Sequence, residues 1–293
     1  MTGNTFTAHN IRFADGSETL PGYAGGLVAD THWCRGAKRL LEFMYPAGVA
    51  GKRIADLGCL EGGYTLEFAR MGMDSFGLDV RQSNFENCLE VKRRAGLANL
   101  DFARDDAWNI AKYGPFDVIF CCGLLYHLDR PGEFVRLLGR QARDAVIINT
   151  HFAPYDWYPM TAFKDVMGPL EEHEGVHGRW YHEHDGGTVE ELERMKWASW
   201  TNRRSFWPTK EALLQLIQDA GFDLVMEQYD IVGAIHAALM DPENIRHHRG
   251  AYVGIRTRGL ENLGSDSIWR KIWRNIWGQT PFPGPNSGPT LPP

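Results

Sequence analysis

Short apolar runs alternate with segments whose apolar residues recur every three or four positions, and this alternation holds from residue 53 to residue 150. Continuous or two-residue periodicity marks strands, and a period near 3.6 marks helices. The runs 53–58 (RIADLG), 75–80 (SFGLDV), 100–106, 116–123 and 145–150 (AVIINT) read as five strands. Helices are expected over 62–70, over 84–96 (Phe85, Cys88 and Leu89 on one face, Gly96 as the stop) and over 132–142 (Phe134, Leu137 and Leu138 inward). Such alternation implies βαβ units and a parallel sheet. The pattern breaks over 151–205, a stretch rich in Trp, Tyr, His, Gly and Pro with neither period. It resumes with a helix at 208–220, with Pro208 in its first turn and Gly221 as its stop; Leu213, Leu216, Ile217 and Ala220 form its buried stripe. Segments 222–229 and 251–257 read as the last two strands, paired antiparallel at an edge.

Three divisions follow. Residues 1–52 form an N-terminal cap segment, 53–257 a main domain with an insert at 151–205, and 258–293 a tail. In the tail Ile268/Trp269, Ile272/Trp273 and Ile276/Trp277 recur every four residues, which predicts a helix with one apolar stripe. That stripe fits docking on its own domain or on a second subunit, hence a homo-oligomer, or else a membrane surface. The Pro-rich end is expected to be disordered.

Charge and cysteines narrow the class. The formal net charge of −6 argues against a general nucleic-acid binder, which needs a basic surface. No apolar run is long enough for an integral membrane span, and the N-terminus lacks a signal-peptide pattern. Five cysteines, an odd number without metal-type spacing, fit a reduced, cytoplasmic protein.

The chemistry is concentrated after the first strand, in Asp56-Leu57-Gly58-Cys59-Leu60-Glu61-Gly62-Gly63. Glycines in such a turn admit a ligand that a Cβ would exclude. Asp79, 21 residues beyond Gly58, ends the second strand, where a carboxylate can accept both hydroxyls of a ribose. A dinucleotide needs bare amides around its pyrophosphate. Asp56 and Glu61 would repel that group, yet would favour a cofactor carrying an ammonium and a sulfonium.

These residues resemble the first motif of the class I S-adenosylmethionine-dependent methyltransferases, and Asp79 resembles that family's acidic second-strand residue. Asp106-Ala107-Trp108 is similar to its third motif, and residues 116–127, ending Leu125-Tyr126-His127, to its fourth. Leu60 stands where the commonest first motif has glycine. The resemblance covers about residues 53–150 and implies a Rossmann-like α/β fold: a seven-stranded, mostly parallel sheet with an antiparallel edge strand, helices on both faces and an aromatic-rich insert after the fifth strand. It also implies S-adenosylmethionine as cofactor. Asp56, Gly58, Cys59, Glu61, Gly62, Gly63, Asp79, Val80, Asp106, Ala107 and Cys122 would hold it, with Val80 on the adenine and the Cys122 carbonyl toward the methionine part.

Methyl transfer needs alignment of acceptor and methyl, and a base where the acceptor carries a proton. His127, just after the fourth strand, and His151, just after the fifth, are candidate bases, His127 equally a packing residue. Trp180, Tyr181, Trp200 and Asn202 are candidate acceptor contacts, aromatic faces beside hydrogen-bonding groups suiting a sugar or planar metabolite; the same aromatics can form a small core. His173, His177, His182 and His184, with Glu183 and Asp185, form the densest polar cluster. A solvated, partly ordered loop over the site is the expected reading, and Glu183 and Asp185 as a pair for Mg²⁺ are the alternative. The expected reaction is therefore methylation of a small-molecule acceptor, at a hydroxyl of a sugar or secondary metabolite. Three alternatives stand beside it. One is a tRNA-modifying enzyme, because the Leu-Tyr-His ending and the stretch SFWPTKEALLQLIQDAGF resemble tRNA wobble-uridine carboxymethyl-transferring enzymes. The others are an NAD(P)-dependent oxidoreductase and a non-enzymatic S-adenosylmethionine-binding protein.

Overall fold

The computed structural model describes residues 5–156, 163–228 and 249–257. The chain divides into two units, Met1–Arg256 and Thr257–Pro293. The expected Trp-striped helix and Pro-rich tail lie outside the described residues, as do Trp157 and Tyr229.

In the first unit, α1 (His32–Met44) precedes β1 (Arg53–Leu57), α2 (Gly63–Arg70), β2 (Asp74–Asp79), α3 (Gln82–Ala95), β3 (Leu100–Arg104), β4 (Phe116–Cys122), α4 (Pro131–Gln141) and β5 (Ala142–His151). The insert adds β6 (Met167–His173), β7 (Val176–His182), α5 (Val189–Arg194) and β8 (Arg204–Pro208). Then come α6 (Lys210–Asp219), β9 (Leu224–Glu227) and β10 (Arg249–Ile255). Seven strands form one sheet in the order β3-β2-β1-β4-β5-β10-β9. β10 runs antiparallel to both neighbours, one place in from the outermost strand β9. The central strands are buried along their length, as continuous apolar runs between two helical layers require. The order reverses between β1 and β4, and ligands of open α/β sheets bind at the carboxyl ends of the strands at such a point.

Most expected elements stand within a few residues of their places, and Gly96 ends α3 in the left-handed conformation (φ 62°). Pro208 is a correction. It closes β8 rather than opening a helix, and the Thr209 side chain caps α6 by accepting from the Ala212 amide. The insert is the larger correction, because it is a three-stranded antiparallel sheet, β6-β7-β8, and not an irregular stretch. Glu174 and Gly175 join β6 to β7, both at positive φ (53° and 79°), as a two-residue hairpin turn demands.

The N-terminal segment is fixed across the first motif. Glu61 is fully buried and accepts from the amides of Thr7 (2.8 Å), Ala8 (3.0 Å) and His9 (2.9 Å). Burial lowers the His9 pKa to about 4, against the pull of Glu61. The neutral ring then accepts from the Gly63 amide (3.0 Å) at the start of α2. Ile11, Phe13 and Val28 pack on Leu66, Val91 and Phe102 behind this clamp. Glu61→Gln is therefore expected to cost about 2–3 kcal/mol, the worth of hydrogen bonds to a buried charge. Denaturant unfolding measures this, and proteolysis should release the first residues of the variant faster. Unchanged stability and unchanged protection would contradict the clamp.

Candidate functional site

A cavity of about 380 Å³ opens at the carboxyl ends of β1, β2 and β4. Gly58, Asp79, Val80, Asp106, Ala107 and Cys122 line it, with His127, Trp200 and Asn202 from the acceptor expectations. The turn after β1 is shaped by positive φ at Gly58 (68°), Leu60 (54°) and Gly62 (78°). Leu60 thus adopts the conformation of the glycine it replaces, uncommon for a branched residue. Its amide donates to Asp79 Oδ2 (2.9 Å), which holds it there. A Cβ at Gly62 would stand 2.8 Å from the Phe102 ring, so only glycine fits.

Asp79 is the cavity's central carboxylate. Its Oδ1 accepts from the Arg81 amide (2.9 Å) and from Asn84 Nδ2 (3.1 Å). Burial pushes its pKa up, and these donors oppose the shift. Asn84 Oδ1 is buried in the cavity wall without a hydrogen-bond partner among the described residues. An orphaned acceptor beside a carboxylate fits a ligand that donates hydroxyls, as a ribose does. Asp106 accepts from the Trp108 amide (3.0 Å), fixing the turn that presents Ala107 to the cavity.

Five of the expected cofactor residues do not line the cavity: Asp56, Cys59, Glu61, Gly62 and Gly63. They shape the turn from behind. Glu61 is spent on the N-terminal segment. Asp56 is buried, accepts from Thr65 Oγ1 (2.7 Å), and has its pKa raised to about 7 by burial, with Asp79 adding to the rise. The acidic turn therefore offers no direct contact to a cationic ligand through these two carboxylates. Asp79 and Asp106 face the cavity instead.

Among the residues expected to meet the acceptor, His127 has its Nδ1 2.9 Å from Glu183 Oε1. The Glu183 side chain is buried, which pushes its pKa up. The bond to His127, the Ser199 amide (2.9 Å) and Ser205 Oγ (2.7 Å) outweigh that, so its carboxyl titrates below the usual range. An ionised Glu183 makes Nδ1 the protonated nitrogen, leaving Nε2 as an acceptor. His151 stands apart from the cavity, stacked on Trp207 (4.8 Å, 13°) and edge-on to Tyr126. Trp180 and Tyr181 also lie outside its walls; Tyr181 stacks on Trp207 (4.8 Å) and Trp180 packs on His173 and Phe206. Both belong to the insert's aromatic core. The polar cluster expected as a loop lies partly on strands, with His173 ending β6 and His177 and His182 on β7. Glu183 turns inward to His127, Asp185 is 97% exposed beside His182, and His173 bonds the Asp129 carbonyl. Among the described residues no group of His, Cys, Asp and Glu converges as a metal site.

Residues 196–202 line the cavity and, with the preceding α5, form a strap that the sequence pattern did not reveal. The Arg81 guanidinium donates to the carbonyls of Leu192, Met195 (2.9 Å) and Ala198 (2.8 Å), and lies 4.9 Å from the Trp200 ring. Glu193 caps the start of α3 through the Gln82 amide (2.9 Å) and Ser83 Oγ (2.9 Å). Asn202 Nδ2 donates to the His127 carbonyl (3.0 Å), tying the strap to the acceptor side.

Residues 54–144 match the model of a methyltransferase domain family. A ubiquinone biosynthesis O-methyltransferase from Acinetobacter baylyi is 23% identical over 94 residues, 31% of this chain and 40% of the relative. The one from Methylococcus capsulatus is 30% identical over 97 residues, again 40% of its length. A tRNA U34 carboxymethyltransferase from Wolinella succinogenes is 24% identical over 229 residues, 71% of this chain and 78% of the relative. Among solved structures, the N-terminal domain of EvdMO1, crystallised with S-adenosylhomocysteine and D-fucose, aligns with a TM-score of 0.59 at 21% identity, over 84% of this chain and 90% of that one. Residues 54–144, about a third of the chain, thus carry the signature of a methyltransferase domain, and the chain shares the Rossmann-like fold of a solved structure that holds S-adenosylhomocysteine. Among the described residues no helix is long and apolar enough to cross a membrane.

Two outcomes test the site. Arg81→Ala should free the strap, raising the dissociation constant for S-adenosylhomocysteine roughly tenfold, about 1.4 kcal/mol, and exposing Lys196 to trypsin; equal protection in both proteins counts against the strap. Asp56→Asn tests the buried acid. A carboxyl whose folded-state pKa lies above its unfolded value contributes stability that is full below the unfolded pKa and lost as pH rises toward about 7. The Asn variant should match the wild type near pH 4 and melt higher at pH 8. A lower melting temperature at pH 8 would refute it.

Proposed function

We propose that this chain transfers a methyl group from S-adenosylmethionine to a hydroxyl of a small polar acceptor, a sugar or secondary metabolite. The observation that carries this reading is the His127–Glu183 pair, whose imidazole lines the same cavity as Gly58, Asp79 and Asn84 while Glu183 holds it from behind. S-adenosylmethionine supplies a methyl already activated on a sulfonium; Gly58, Asp79, Asn84, Val80 and Ala107 would hold it. What remains for the protein is alignment and removal of one proton. His127 Nε2 takes the proton from the acceptor hydroxyl, and Glu183 fixes the ring and stabilises the imidazolium that forms. Asn202 holds the His127 backbone, and Trp200 offers an aromatic face. The D-fucose in the EvdMO1 structure supports a sugar-sized acceptor.

The tRNA reading keeps one observation in its favour, the reach of the Wolinella succinogenes match over 229 residues. The net charge of −6 weighs against it. A purified sample whose 260/280 nm absorbance ratio shows bound nucleic acid would reverse that weighing.

His127→Ala is expected to lower kcat by about 10²–10⁴, the usual worth of a general base. Its affinity for S-adenosylmethionine should stay within about threefold, since the imidazole is not a cofactor contact. Glu183→Gln should fall between this variant and wild type. Rates of S-adenosylhomocysteine formation together with calorimetry of cofactor binding decide it. A His127→Ala enzyme at wild-type rate removes the base from the mechanism.

A further inference from the structure

We infer that Arg249 is a carboxylate receptor in the acceptor half of the cavity, so that the acceptor hydroxyl belongs to a molecule that also carries a carboxylate. The inference rests on the methyl-transfer reading and narrows its substrate class.

Arg249 opens β10 and reaches the cavity wall from the far side of β5. Its Nε donates to Asn149 Oδ1 at 2.7 Å, which fixes the plane of the guanidinium. The group stands 5.7 Å from the centre of the Trp33 ring and 5.6 Å from that of Tyr126. Both residues line the same cavity, and so do Tyr64 and Cys122. The positive field of Arg249 bears on Cys122, Tyr64, Tyr126 and His32, all neutral groups. Among the described residues, no carboxylate forms an ion pair with it.

The other cavity cations differ. Arg81 is spent on three strap carbonyls, and Lys196 reaches Thr7 Oγ1 (3.1 Å) and Glu61 (3.5 Å). A partly desolvated guanidinium without a counter-ion is costly, and aromatic faces offset only part of that cost. Its planar fork suits two carboxylate oxygens at once. The placement also bears on the reaction. A fixed cation in the same cavity opposes the binding of a cationic sulfonium, unless an anion comes between them. A carboxylate on the acceptor, flanked by the Trp33 and Tyr126 rings, would neutralise Arg249 as it binds and draw the acceptor into place.

The test uses the full chain saturated with S-adenosylhomocysteine, with benzoate as the carboxylate probe and benzamide as its neutral counterpart, both by calorimetry. Wild type should bind benzoate at least tenfold more tightly than benzamide. Arg249→Met should abolish that preference while keeping S-adenosylhomocysteine affinity within about threefold, and Arg249→Lys should retain part of it. Three results overturn the inference. One is equal binding of both probes to wild type, and another is an unchanged preference in Arg249→Met. The third is a loss in that variant of affinity for S-adenosylhomocysteine but not for 5′-methylthioadenosine, which would assign Arg249 to the cofactor's own carboxylate. Failure of wild type to bind S-adenosylhomocysteine at all would instead strike the methyl-transfer reading, a separate result.

Discussion

The site depends on one buried carboxylate, that of Asp79. It accepts from the Leu60 amide, the Arg81 amide and the Asn84 side chain, and so joins the turn after β1 to the start of α3. Burial disfavours its charge, and the three donors oppose that cost. Removing the carboxylate would release Leu60 from a conformation that a branched side chain rarely adopts. The same few residues set the direction of Arg81, whose guanidinium reaches the strap. The turn after β1 and the strap are therefore joined through Asp79 and Arg81.

The strap completes that link. Ser199 donates its amide to Glu183, and Asn202 holds the His127 carbonyl, so the segment gripped by Arg81 also carries contacts to the candidate base. The strap and the proposed base are therefore coupled through Glu183 and the His127 backbone, so a displacement of one would be felt at the other.

The sheet was legible in the sequence because its central strands are buried on both faces and its helices keep one apolar stripe each. The period changes cleanly at Gly58 and Gly96, where the backbone must take positive φ. The insert was less legible. Its strands place aromatics such as Trp180, Tyr181 and Trp207 against one another rather than alternating apolar with polar, so the two-residue period is lost. The Glu174-Gly175 turn was the one local sign of the hairpin. Helix α1 was missed although Cys34, Ala37, Leu41 and Met44 lie on one buried face behind a Thr31 cap. That stripe is readable at helical spacing, and Gly36 within it obscured the pattern.

The site itself was half legible, for a physical reason. Sequence motifs mark residues that shape a turn as strongly as residues that touch a ligand. Glu61 and Asp56 carry charge next to the glycines, yet one is consumed by the amides of residues 7–9 and the other is buried on Thr65. Whether a carboxylate serves a ligand is decided by its remaining unsatisfied capacity, which only the fold assigns. By that criterion Asp56 and Glu61 belong to the scaffold, while Asn84 Oδ1 and Arg249 line the cavity with capacity left for a ligand. Neither of those two stands in a motif, because each gains its role from elements far apart in the chain. Asn84 is turned into the cavity by Asp79, and Arg249 is held there by Asn149 of a neighbouring strand.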